Sequence, residues 1–160
     1  LPSEFDSLST FSSNSSIVYQ FLSKSYPPIV DSQAPDNFTG DSLLQFTVSH
    51  AKSTEHLGNK QVIEKADLDR MVLEEKHLDP RNSLDIQSLM NINDRIFAVI
   101  ATRRRIANRG LDHHYISAET IVDSQSVFLH FQCIQPDCKD FVSKLMKSLK
   151  TVKIIGANDR

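Results

Sequence analysis

The chain has 160 residues, 39% hydrophobic and 24% charged, with a net charge of −2. A chain of this length builds one domain and buries its own core without a metal or a disulfide scaffold. The near-neutral balance excludes a whole-domain electrostatic pull toward nucleic acid or anionic lipid, and only four glycines leave little room for a glycine-rich cofactor loop.

Residues 1–16 are dominated by serine and are expected to form a flexible arm, because they bury too little apolar surface to offset ordering. The first residues lack the basic region and apolar core of a secretory signal, and a chain starting at Leu1 is expected to be a fragment or a processed product. Asn14-Ser15-Ser16 and Asn37-Phe38-Thr39 match the glycosylation pattern and are read as chance matches in a serine-rich chain. Residues 17–160 are expected to form a single α+β domain. In it, residues 17–22 (Ile17, Val18, Phe21, Leu22) make a short apolar helix, and residues 27–41, with three prolines, a loop. Leu44, Phe46 and Val48 alternate with polar residues, which predicts a half-buried strand. Residues 50–60 are polar and break it.

Residues 61–77 have helical spacing at Val62, Ile63, Ala66, Met71 and Val72, with Pro80 as the stop. A short helix is expected at residues 85–90. A second strong helix is expected from an Asn93 or Asp94 cap, through Ile96, Val99, Ile100 and Ile106, to Gly110. Residues 115–122 are rich in strand formers, residues 123–126 read as a turn, and Val127, Leu129, Phe131 and Cys133 alternate as a second strand. A helix begins near Pro136-Asp137, with Phe141, Val142, Leu145, Met146 and Leu149 on one side, and residues 151–155 predict a last strand. The order is β–α–β–β–α–β. It predicts a ferredoxin-like antiparallel sheet with its helices on one face and a β-β-α-β core over residues 113–156. The alternative is a helical N-terminal half packed on a smaller three-stranded sheet.

Candidate sites are few. Arg103, Arg104, Arg105 and Arg109 form the strongest charge cluster and could grip phosphate or an acidic partner. Read plainly, they are a solvated helix end. On the second tail strand, Phe128, His130 and Gln132 face away from the predicted helices. Gln45 and Thr47 of the first strand, and Thr151 or Lys153 of the last, would join them on an open sheet face. Asp112-His113-His114 resembles the triplet of a phosphoesterase family but follows a basic stretch instead of ending an apolar strand, so it reads as a polar loop leading into a strand. Cys133 and Cys138 flank Pro136 without further nearby ligands, and Cys133 reads as a small core residue. Glu74 and Glu75 read as solvated helix-surface carboxylates.

The sequence holds no P-loop, dinucleotide fingerprint or nucleophile elbow. The reading favoured is a non-enzymatic interaction or assembly domain, self-associating or docking a protein partner through its sheet edge or open face. No cofactor and no metal are expected. The alternative is a nucleic-acid or phosphate-binding module built on Arg103, Arg104 and Arg105, and the third is a regulatory small-ligand domain. No membrane insertion is expected, since no apolar run nears the ~20 residues of a spanning helix. An intracellular setting is expected from the missing signal and the missing disulfide framework.

Overall fold

The computed structural model describes residues 5–12, 16–23, 43–51, 61–106, 110–134 and 138–151. Their elements are β1 (Phe5–Ser12), β2 (Ser16–Ser23), β3 (Leu43–Ala51), α1 (Lys65–Leu78), β4 (Ser83–Ile92), β5 (Arg95–Ile106), β6 (Leu111–Val122), β7 (Gln125–Ile134) and α2 (Cys138–Leu149). All the strands join one antiparallel sheet in the order β1-β2-β3-β7-β6-β5-β4. After β3, α1 carries the chain across to the far edge. From there, β4 to β7 meander back until β7 pairs with β3.

This is an α+β fold, but its strand order departs from the expected ferredoxin-like one. Three segments expected to be helical are strands: residues 17–22 lie in β2, residues 85–90 in β4, and the stretch from Ile96 to Ile106 in β5. The physical reason is clearest in β5. Phe97, Val99 and Ala101 enter one core cluster, while Ala98 and Ile100 enter another on the opposite face. A strand covered on both faces loses its polar alternation and reads as an apolar run, which spacing alone does not separate from a buried helix. Asn93 and Asp94, expected as a helix cap, both have positive φ (48° and 64°) and turn the chain between β4 and β5. Asp123 and Ser124 (49° and 60°) do the same between β6 and β7. Two consecutive left-handed residues suit the right-handed twist of a hairpin, and Asn and Asp tolerate that region best after glycine.

The helices lie on opposite faces of the sheet, not on one. On one side, α1 buries Leu68 and Met71, together with Ile63 just before it, against Ala98, Ile100 and Ile121. Its first turn is fixed by the Asp67 carboxylate, which accepts the Glu64 backbone N–H at 2.8 Å. On the other side, α2 buries Leu145 and Leu149 against a cluster that includes Phe97, Val99, Ile116, Leu129 and Phe131. Cys133 belongs to that cluster, as expected of a small core residue. It is also disulfide-bonded, which the sequence did not disclose.

Phe5–Ser12 is a strand on the outer edge of the sheet, where a flexible arm was expected. Thr151 closes α2, its backbone N–H and hydroxyl donating to the Ser148 carbonyl at 2.9 and 2.8 Å, instead of opening a strand. The expected strand beyond it, the loop at 27–41, Asn14, Asn37, Pro136, Asp137, Lys153 and Arg109 lie outside the described residues.

Candidate functional site

The alternation of β6 and β7 sorts their residues between the two helices. Ile116, Ala118, Leu129 and Phe131 point to the α2 side. Tyr115, Ser117, Glu119, Phe128 and His130 point to the α1 side. There α1 lies over β4 and β5 and stops short of β7, so the flank of the helix and the surface of β6–β7 bound a hollow of about 150 Å3. Its floor is Ile100, Tyr115, Ser117, Glu119, Phe128 and His130, and its wall is the helix face at Arg70, Met71, Glu74, Glu75 and Leu78. In the backbone register, Thr47 of β3 pairs with His130 and Gln45 with Gln132.

The polar floor is tightly organised. Glu119 is fully buried, at 0% exposure, within the buried stretch of β6 from Ile116 to Val122. A buried carboxylate must be paired and hydrogen-bonded to be tolerated. Arg70 Nη2 donates to its Oε2 at 2.8 Å, and Ser126 Oγ donates to its Oε1 at 2.9 Å. Arg70 Nη1 donates to both Glu74 oxygens, at 3.1 and 3.0 Å. Desolvation lowers the Arg70 pKa, but attraction to Glu119 and hydrogen bonds to Glu74 and Glu119 outweigh it, and the net shift is upward. Glu75 Oε1 accepts from Asn82 Nδ2 at 2.6 Å and from Thr102 Oγ1 at 3.4 Å.

Beside these charges runs a row of rings. Phe128 and His130 are parallel within 11°, with centroids 5.8 Å apart, and His130 and Tyr115 within 15° at 5.6 Å. His113 follows at 6.4 Å from Tyr115. The Tyr115 hydroxyl lies 2.7 Å from His130 Nδ1. Burial pushes the His130 pKa down to about 4, so the ring is neutral at pH 7. Burial, aided by the negative charge of Glu75, pushes Tyr115 up, so its phenol keeps its proton. The hydroxyl and Nδ1 therefore share a hydrogen bond between two neutral groups, its direction set by the tautomer of His130.

The structure thus brings Phe128 and His130, two residues singled out in the sequence, to one site. The arginines do not join them. Being on a strand, Arg104 turns to the α1 side, where it is buried and pairs with Asp79. Arg81 and Arg104 together hold the Asp79 carboxyl well below the usual range, Arg81 contributing most. Arg103 lies near Asp85 at 3.6 Å, and Arg105 bonds Asp112 at 3.1 Å. Their charges are met by carboxylates instead of forming one patch. His113 stands on the α1 side, its Nε2 donating to Gln132 Oε1 at 3.3 Å, and His114 is buried on the other side. Among the described residues, no three His, Cys, Asp or Glu side chains are placed to hold a metal ion, and no helix is long and apolar enough to cross a membrane.

Sequence reasoning missed Arg70, Glu75, Tyr115, Ser117 and Glu119. One signal was present: a glutamate inside the strand Ile116-Ser117-Ala118-Glu119-Thr120-Ile121 is out of place unless it is paired. Glu75, expected to be a solvated carboxylate, is half-buried and held by two donors.

No family model and no curated protein matches the chain. Among solved structures, it is similar to PA94 of Pseudomonas aeruginosa, a protein of unknown function, at a TM-score of 0.48 and 10% identity over 93% of this chain and 98% of that one. A likeness so distant carries no argument about the site.

Proposed function

We propose that the chain is a non-enzymatic interaction domain that docks a partner polypeptide on the α1 side of its sheet. The observation that carries this reading is the open hollow beside α1, floored by Tyr115, His130 and Phe128. At about 150 Å3 it is smaller than the roughly 300–1,000 Å3 pockets that enclose drug-sized ligands. Cavities of roughly that size accept a group as large as benzene, the scale of one side chain. Leu78, 78% exposed, stands at its rim. The aromatic floor, with Met71 and Arg70 in the wall, has the composition of an interface centre. The Tyr115–His130 pair is neutral and mutually bonded. A base with a pKa near 4 is poorly matched to proton transfer at pH 7, so the pair suits a fixed binding wall better than acid–base work.

A second reading rests on β4. It is the outer strand beyond β5, and Ser83–Ile92 carries a single charged residue, Asp85, and no proline. Such an edge is open to strand addition or to self-association. The carboxylate partners of Arg103, Arg104 and Arg105 weigh against the nucleic-acid alternative.

A photo-crosslinking residue at Leu78 tests the docking reading against one at Ser143, an exposed position on α2 across the sheet. A defined polypeptide captured from Leu78, lost when Phe128→Ala is added and absent from Ser143, is the expected result. Equal capture from both positions, or capture indifferent to Phe128, would sink it.

A further inference from the structure

The charges around the hollow are unbalanced. Three carboxylates line it, Glu74, Glu75 and Glu119, against one guanidinium, Arg70, and no lysine. Two of the three Arg70 nitrogens are already engaged by Glu74 and Glu119. His130 is neutral and adds no cation. The hollow therefore carries an excess of two negative charges.

Glu75 supplies the free half of that excess. Both bonds to its carboxylate fall on Oε1, from Asn82 and Thr102, and no bond reaches Oε2 from the described residues. Its charge is felt inside the hollow, since it helps hold the Tyr115 phenol protonated.

An occupant that covers this site takes Glu75 out of water. An apolar or amide side chain would leave the carboxylate desolvated without a countercharge, which is costly. An acidic one would add repulsion. A lysine or arginine side chain supplies the missing charge as a charge-assisted hydrogen bond. Its methylene stem packs on Met71 and Leu78, and the rings of Tyr115 and Phe128 offer further attraction to a cation.

We propose that the hollow selects a basic side chain, an Arg guanidinium or Lys ammonium, projecting from the partner polypeptide, with Glu75 Oε2 as its acceptor. This rests on the docking reading above.

Blocked tripeptides test it: acetyl-Gly-Arg-Gly-amide, its Lys, Gln and Glu counterparts, and free argininamide. Each is titrated into the full chain while the backbone resonances of Arg70, Tyr115, Glu119 and His130 are followed by NMR. The Arg and Lys peptides are expected to shift these resonances and to bind about tenfold more tightly than the Gln peptide, the scale of one charged hydrogen bond. The Glu peptide is expected to leave them unmoved. In Glu75→Gln, which keeps the size of the side chain, the Arg peptide is expected to fall to the level of the Gln peptide at an unchanged melting temperature. Equal binding of Arg and Gln peptides at these resonances would overturn charge selection while leaving the docking reading intact. Shifts from none of the peptides would remove both. Argininamide binding more tightly than the Arg peptide would replace the partner side chain with a small molecule.

Discussion

Arg70→Met is the sharpest test of how the hollow is built. The change keeps an unbranched side chain against Met71 but removes both the 2.8 Å hydrogen bond to Glu119 and the pair of hydrogen bonds from Nη1 to Glu74. Glu74 is exposed and its loss is screened by water, so it contributes little. Glu119 is at 0% exposure and would be left with Ser126 as its remaining donor. Stripping one partner from a buried ion pair costs about 3–5 kcal/mol, because the other charge stays desolvated. Arg70 keeps 28% of its side chain exposed, so water softens the loss, and the lower end, about 3 kcal/mol, is expected. With a urea slope of about 2 kcal/mol/M, the unfolding midpoint should fall by about 1.5 M. Adding Glu119→Leu should recover most of it, since an apolar pair of similar volume replaces a buried ion pair at small cost. Urea unfolding of the wild type, both single variants and the double variant closes the cycle. A midpoint for Arg70→Met within ~0.5 M of the wild type, or a double variant no better than Arg70→Met alone, would refute the reasoning.

Acid should destabilise the fold in two separate windows. His130 has a folded pKa of about 4 against about 6.5 unfolded, so between these values the unfolded chain binds the extra proton. Stability is then lost as pH falls from about 6.5 to 4, by about 3 kcal/mol, and His130→Phe should flatten that limb of a stability–pH curve. Asp79, held low by Arg81 and Arg104, stabilises above its unfolded value and loses that contribution only below about pH 4, so Asp79→Asn should flatten the second limb. Arg104→Ala should cost about 2 kcal/mol, because Arg104 is buried while Asp79 keeps Arg81 as a partner, whereas Arg103→Ala and Arg105→Ala should each cost under ~1 kcal/mol. Similar losses at all three positions, measured by denaturant unfolding, would contradict the strand placement. Leu145→Ala should cost ~2–5 kcal/mol, since Leu145 packs at 2% exposure in the α2-side core, and an unchanged midpoint would mean that α2 presents another face.

The parts of the fold legible in the sequence are those whose environment is one-sided. α1 and α2 each have one buried face, and β3 shows polar–apolar alternation, so spacing alone located them. The β6–β7 hairpin also came through, because Asp123-Ser124 punctuates two strand-forming runs. β5 failed for the opposite reason. Sandwiched between α1 and α2, it buries Phe97 and Ala98 alike, and its Ile96, Val99, Ile100 and Ile106 imitate a helical stripe. That one misreading carried others with it. As a helix end, Arg103, Arg104 and Arg105 looked like a basic cluster. As a strand, they divide between two faces and meet Asp85, Asp79 and Asp112.

The site was half legible. The outward face of β7 was identified at Phe128 and His130, because alternation fixes which residues share a side. Its roof was not, because nothing in residues 65–78 tells which strands the helix will cover. Arg70 and Glu119 are 49 positions apart and meet only once α1 has crossed the sheet.

A crystal structure of the chain with acetyl-Gly-Arg-Gly-amide tests the central claim most directly. The account expects the guanidinium within hydrogen-bond reach of Glu75 Oε2, its stem over Met71 and Leu78, and the Arg70–Glu119 bond intact beneath it. A peptide seated along β4 or on the α2 side, with the hollow beside α1 vacant, would contradict it.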